Sequence, residues 1–157
     1  MTSLRTVAIR VTGTRFQFPE ASEVPSAMEE FGTWLNSPIE PPNTGAIIER
    51  AALAHLRFVT IHPFTDGNGR MARIILNLVL MRNGLLPIII DPAIRSAYMA
   101  AIQNYQSPHQ KKRVGEDFIR LIAELVSERL QIYLECGPAI LPELAPETVE
   151  RESFWLH

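Results

Sequence analysis

Residues 70–83 form a helical run that is apolar on nearly every side, with one polar line of Arg70, Arg73 and Asn77 at i, i+3 and i+7. A chain carrying such a helix has to bury it. The segment is therefore expected at the centre of a helical fold, with its polar line aimed at a ligand. Asn83-Gly84 supplies the C-terminal stop. Directly before the run stands His62-Pro63-Phe64-Thr65-Asp66-Gly67-Asn68-Gly69, so a possible base, a carboxylate and a flexible turn lead into two arginines three residues apart.

That order is the layout of a phosphate site. Gly67 and Gly69 reach backbone angles closed to other residues and Asn68 tolerates the left-handed region, so successive amides can converge on one anion. The helix that follows offers its unpaired N–H groups and the positive end of its dipole to the same point. Arg70 and Arg73 share a face, and their planar forks suit phosphate oxygens. Without an anion, two arginines at a helix start would oppose the dipole. Asp66 would repel a bare phosphate, a conflict that magnesium, bound by a carboxylate together with phosphate oxygens, resolves. His62 is the one group of the stretch that accepts a proton near neutral pH. Gly-Asn-Gly alone is an ordinary turn and a lone histidine is ordinarily structural; the combination in this order favours a nucleotide phosphate with His62 activating a nucleophile.

Elsewhere, Val7, Ile9 and Val11 alternate with Ala8, Arg10 and Thr12, and after Gly13 the alternation resumes at Phe16 and Phe18, the pattern of a small hairpin over residues 6–18. Val24, Met28, Phe31 and Leu35 recur at helical spacing, with Pro25 in the first turn. The proline-containing stretch 36–45 reads as a loop. A second helix is expected over residues 46–60, where His55 is given a structural role, since neither its spacing from His62 nor a third ligand supports zinc. Leu86 to Ile90 is an apolar connector. Asp91-Pro92 opens a helix with Ile94, Tyr98, Ala101 and Tyr105 on one face, and residues 116–135 form the last, with Phe118, Ile122, Leu125, Ile132 and Tyr133 toward the core. Prolines at 138, 142 and 146 mark 137–157 as a tail, in which Phe154-Trp155 would dock on the domain or a partner.

A chain of 157 residues, 46% of them hydrophobic, suits one compact domain. The formal charge of −2 leaves no broad basic footprint for nucleic acid, and Lys111-Lys112-Arg113 reads as a solvated loop. A single cysteine, Cys136, allows no internal disulfide and suits a reducing compartment. No signal-peptide core or membrane-spanning run stands out, so the expected setting is the cytoplasm.

Residues 62–73 match, at every defining position, the signature H-x-F-x-[D/E]-G-N-G-R-x-x-R, and the chain thereby resembles the Fic (filamentation induced by cAMP) family of nucleotidyl transferases. Ala51-Ala52-Leu53-Ala54-His55, Asn77-Leu78-Val79-Leu80-Met81 and Asp117-Phe118-Ile119-Arg120 extend the likeness toward the animal and related bacterial enzymes. The resemblance implies a mainly α fold, a Fic-type helical bundle with a small β-hairpin flap near the N-terminus, residues 1–136 being the catalytic domain. It implies protein adenylyl transfer, AMP moving from ATP to a Tyr, Thr or Ser hydroxyl of a target protein with release of pyrophosphate. His62 would be the base, Gly67, Asn68 and Gly69 would hold the α-phosphate, Arg70 and Arg73 the β and γ groups, and Asp66 the Mg2+. Glycine at 69, where the related Doc toxins have lysine and phosphorylate, favours nucleotidyl transfer. The flap residues Val7, Ile9 and Val11 would align a target segment by strand pairing, and Tyr98 and Asn104 fall in the region bordering the nucleobase, although the Gln103–Pro108 segment departs from the family's usual Gly-Asp turn.

Many relatives are restrained by an inhibitory helix, [S/T]-x-x-x-E-[G/N], whose glutamate pairs with the second arginine, here Arg73. Ser26-x-x-x-Glu30-Phe31 and Thr148-x-x-x-Glu152-Ser153 have the spacing but not the final residue. Either the inhibitory helix lies outside this sequence or an antitoxin-like partner supplies the glutamate, and a homodimer stays open. Transfer of UMP, phosphocholine or phosphate, removal of AMP, and a non-catalytic nucleotide-binding toxin-partner module are the alternatives.

Overall fold

The computed structural model describes residues 3–11, 14, 16–107 and 115–136. Five helices follow one another: α1 (Val24–Asn36), α2 (Thr44–Ile61), α3 (Asn68–Arg82), α4 (Arg95–Gln106) and α5 (Glu116–Cys136), with short 3-10 turns at Ala21–Glu23 and Pro92–Ile94. The basic loop before Gly115 and the tail with Thr148, Glu152, Phe154 and Trp155 lie outside the described residues.

α2 and α3 make the most extensive helix pair. Their axes can approach because Ala51, Ala52 and Ala54 on α2 and Ala72 on α3 are fully buried, and small side chains set a short interaxial distance. Leu56, Leu76 and Leu80 fill the remaining core, joined by Phe118 and Ile122 of α5. α2 is started by Asn43, whose side chain accepts from the Ala46 amide at 2.9 Å, and Asp91 caps the Pro92 turn in the same way through the Ala93 amide at 2.7 Å.

Gly115 immediately precedes α5, and its carbonyl accepts from the Ile119 amide. Gly115 has φ +79°, and a Cβ there would stand 3.0 Å from Leu56 Cδ1 and 3.3 Å from Leu53 Cδ2. Gly115→Ala combines a left-handed backbone with overpacking against α2, and is expected to cost about 2–4 kcal/mol. Urea unfolding of the variant measures it.

Three expectations need correction. The residue 6–18 hairpin is not seen: no strand occurs among the described residues, and Ala8–Val11 and Phe16–Glu20 line a cavity of about 730 Å³. An isolated pair of strands is marginal in water, and here the ends are held by side-chain bonds rather than by a ladder. α3 is central but not enclosed, since Met71, Ile74, Leu78 and Met81 line one exposed face. On α5, Ile132 and Tyr133 are exposed, because beyond Ser127 only Leu130 packs against the core.

Candidate active site

The site is built where α2 ends and α3 begins. His62 is the C-cap of α2, with φ 53° and ψ 60°, the one non-glycine residue of positive φ among those described. This left-handed turn ends the helix as a C-cap does, and its amide still donates to the Phe58 carbonyl at 2.9 Å. Holding a histidine in this conformation costs free energy, so the surroundings must enforce it. The ring nitrogen Nδ1 lies 3.1 Å from the Val59 carbonyl, and the Phe18 ring meets the imidazole edge-on at 4.8 Å. A carbonyl can only accept, so Nδ1 carries the hydrogen and Nε2 keeps its lone pair. Partial burial lowers the His62 pKa, the Val59 bond opposes the shift, and the nearby Arg5 guanidinium lowers it further. The neutral imidazole is thus the form present at neutral pH.

Arg5 was not singled out from the sequence. It is buried, and its guanidinium donates to the carbonyls of His62 at 2.8 Å, Pro19 at 2.6 Å, Val7 at 3.1 Å and Ile61 at 3.5 Å, while its own amide donates to the Pro63 carbonyl. Ile61 and His62 close α2, where the helix dipole is negative and a cation is favoured.

Gly67 (φ 82°) is the N-cap of α3, which begins two residues earlier than the expected Arg70. Of the Gly-Asn-Gly trio only Gly67 is a turn residue; Asn68 and Gly69 form the first helical turn. The first helical donor is Met71, bonded to the Gly67 carbonyl, so the amides of Asn68, Gly69 and Arg70 stand at the open end of the dipole. The Asn68 side chain is committed elsewhere: buried, it accepts from the Phe64 amide at 3.0 Å and donates to the Phe64 carbonyl at 2.8 Å. Asn68→Ala would leave both groups of Phe64 unpaired beneath the loop, an expected loss of about 2–4 kcal/mol in denaturant unfolding.

Arg70 is exposed and reaches back to Asp66 at 3.3 Å, a solvated pair worth little by itself. Arg73 is half-buried, with Nη1 3.7 Å from where a Cβ on Gly69 would sit, and so lies along the first turn of α3. It also faces the buried Tyr98 hydroxyl; burial raises the Tyr98 pKa, and Arg73 and Arg95 hold that rise down. Tyr98 in turn lies 2.8 Å from His55 Nε2. His55 is fully buried, stacked on Phe118 at 4.8 Å, and its Nδ1 has no hydrogen-bond partner among the described residues. Burial and then the Arg73 charge push its pKa down to about 3.

The structure therefore brings His62, Asp66, Gly67, Gly69, Arg70 and Arg73 together on one loop and helix start. Asn77 is turned away from that line: it bonds both the amide and the carbonyl of Ile88 and pins the connector after α3. Tyr98 is packed in the core, and Asn104 donates to Asp117 beside a groove of about 280 Å³ between α4 and α5 that no residue of 62–73 lines. Val7 is exposed and Ile9 and Val11 are half-buried on the arm that Arg5 anchors. Among the described residues no group of three histidine, cysteine or acidic side chains could cage a metal. Asp66 suits an ion that takes one carboxylate and finds its other ligands on phosphates and water. No described helix is long and apolar enough to cross a membrane.

The Fic/DOC family model matches residues 2–80. Protein adenylyltransferase Fic of Drosophila mojavensis is 37% identical over 139 residues, which are 86% of this chain and 25% of that protein. The chain thus spans about a quarter of the length of the curated relatives it matches. Among solved structures, Fic-1 (aa134–508 E274G) from C. elegans superposes with a TM-score of 0.69 at 32% identity, covering 85% of this chain and 36% of that one. A Fic domain containing signalling protein from Bacteroides thetaiotaomicron gives 0.68 at 27% identity, over 82% and 52%. With the signature assembled on one helix junction and its relatives sharing both sequence and fold, this chain belongs to the Fic/DOC family.

Proposed function

We propose that the chain is a protein adenylyl transferase that moves AMP from ATP to a hydroxyl of a target protein. The observation that carries this reading is the His62 ring, held through Nδ1 by the Val59 carbonyl so that Nε2 keeps the basic lone pair, at the junction that opens into the N-terminus of α3. The curated relatives bear the name protein adenylyltransferase, and AMP transfer is what these residues suit. His62 Nε2 takes the proton of the target hydroxyl as its oxygen attacks the α-phosphorus in line. The new oxygen–phosphorus bond forms, the bond to the bridging oxygen breaks, and pyrophosphate leaves with the electron pair.

The amides of Gly69 and Arg70 and the dipole of α3 receive the phosphate oxygens, with Gly67 keeping the approach clear. Arg70 and Arg73 stabilise the charge that accumulates on the departing groups. Asp66 would hold magnesium, which when bound offsets negative charge on the phosphate chain. The exposed arm at Val7–Val11 supports target docking by strand addition, since it carries no strand pairing of its own among the described residues. Intact-mass analysis of targets after incubation with ATP, UTP, CDP-choline and magnesium tests the donor. A mass gain of one AMP from ATP supports the reading, and a gain only from another donor defeats it.

A further inference from the structure

We propose that Arg5 is the positioning residue of the base: it locks His62 in its left-handed conformation and ties that conformation to the arm that would present the target. The inference rests on His62 being the base, but its geometry is independent of the donor.

Arg5 is 3% exposed, and among the described residues its side chain donates to four backbone carbonyls. A buried guanidinium has to satisfy its donors on other polar groups, and its planar fork suits acceptors spread over three segments. Those segments are the end of α2 (Ile61, His62), the arm Val7–Val11 (Val7) and the stretch Phe16–Glu20 (Pro19). The Arg5 amide adds a bond to Pro63, so the carbonyls on both sides of the His62–Pro63 peptide are fixed from one residue. Around the imidazole, α2 contributes the Val59 carbonyl and the stretch Phe16–Glu20 the Phe18 ring, and Arg5 is the charged group that acts on its titration.

A link of this kind makes the base sensitive to the arm. Displacing Val7 or Pro19 moves acceptors of the same guanidinium that holds the His62 carbonyl. A lysine cannot replace it, because one ammonium with three donors cannot reach four carbonyls in a plane.

The test uses the whole chain with Arg5→Met and Arg5→Lys, reading the His62 imidazole titration by NMR and the transfer rate with ATP and magnesium against pH. In Arg5→Met the His62 pKa should rise toward its ordinary 6.5, moving the acid limb of the rate profile to higher pH. Turnover should fall about tenfold or more while KM for ATP changes by less than about twofold. Arg5→Lys should keep the lowered pKa yet recover only part of the turnover. A folded Arg5→Met with unchanged His62 titration and unchanged turnover overturns the proposal. If Arg5→Met does not fold, Arg5→Lys decides: wild-type turnover with wild-type His62 and Pro63 chemical shifts also overturns it. Should the wild type transfer nothing from any donor, the adenylyl-transfer reading fails, and the His62 titration still decides the role of Arg5.

Discussion

His62→Ala is expected to lower AMP transfer by about 10²–10⁴-fold, the range that a positioned general base contributes. The reason lies in the site's composition. Asp66 is exposed and paired with Arg70, and an arginine offers donors but no acceptor, which leaves His62 as the loop's imidazole base. The fold should survive, because the side chain is only partly buried and its contacts are the Val59 bond and the Phe18 edge. Alanine keeps the strain of about 1–2 kcal/mol that a Cβ bears in the left-handed region, so His62→Gly serves as the control that removes both the base and that strain. Transfer measured by intact mass, with circular dichroism for the fold, checks both. Undiminished transfer in either variant would remove His62 from the mechanism.

The second large effect is on stability in acid. The folded chain holds His55 at a pKa of about 3 against an ordinary 6.5. Its depressed value means that the unfolded chain binds a proton below pH 6.5 that the folded chain refuses until about pH 3. Stability is therefore lost as pH falls through that window, by about 1.4 kcal/mol per unit from this group. The lowered pKa of His62 acts in the same direction. Between pH 6.5 and 4.5 the wild type should lose about 2–3 kcal/mol more than His55→Gln, a change comparable to a large part of a small domain's total stability. Urea midpoints of both proteins at the two pH values check this. Equal losses would mean that the protonated histidine reaches a hydrogen-bond acceptor or water while folded.

Much of the helical frame was legible because burial imposes a period of 3.6 residues, as in Val24, Met28 and Phe31 of α1 and Phe118 and Ile122 of α5. The loop was legible for a different reason: its residue types are jointly awkward unless an anion is present. What escaped depends on partners far away in the chain. Asn77 shares a helix stripe with Arg70 and Arg73, yet its partner Ile88 is eleven positions on and takes the side chain. Arg5 looked like an ordinary surface residue, and nothing nearby announces carbonyls 57 positions away. The alternation from Val7 to Phe18 reports one-sided burial, which a strand needs but which does not by itself supply a ladder. Asn68 and Gly69 read as turn because both are poor helix formers; Asn68 starts α3 because Phe64 occupies its amide.

The junction of α2 and α3 also bears on the order of assembly. Only residues 62–67 separate the two helices, and the pair they join is the most extensive in the fold. Closing so short a loop costs little chain entropy, so this hairpin is expected among the earliest structures to persist during folding. The open amide end of α3 would thus exist as soon as the hairpin does. The contact that orients His62 spans 57 residues and must come later, so the chain would acquire a receptive anion cradle before it acquires a working base.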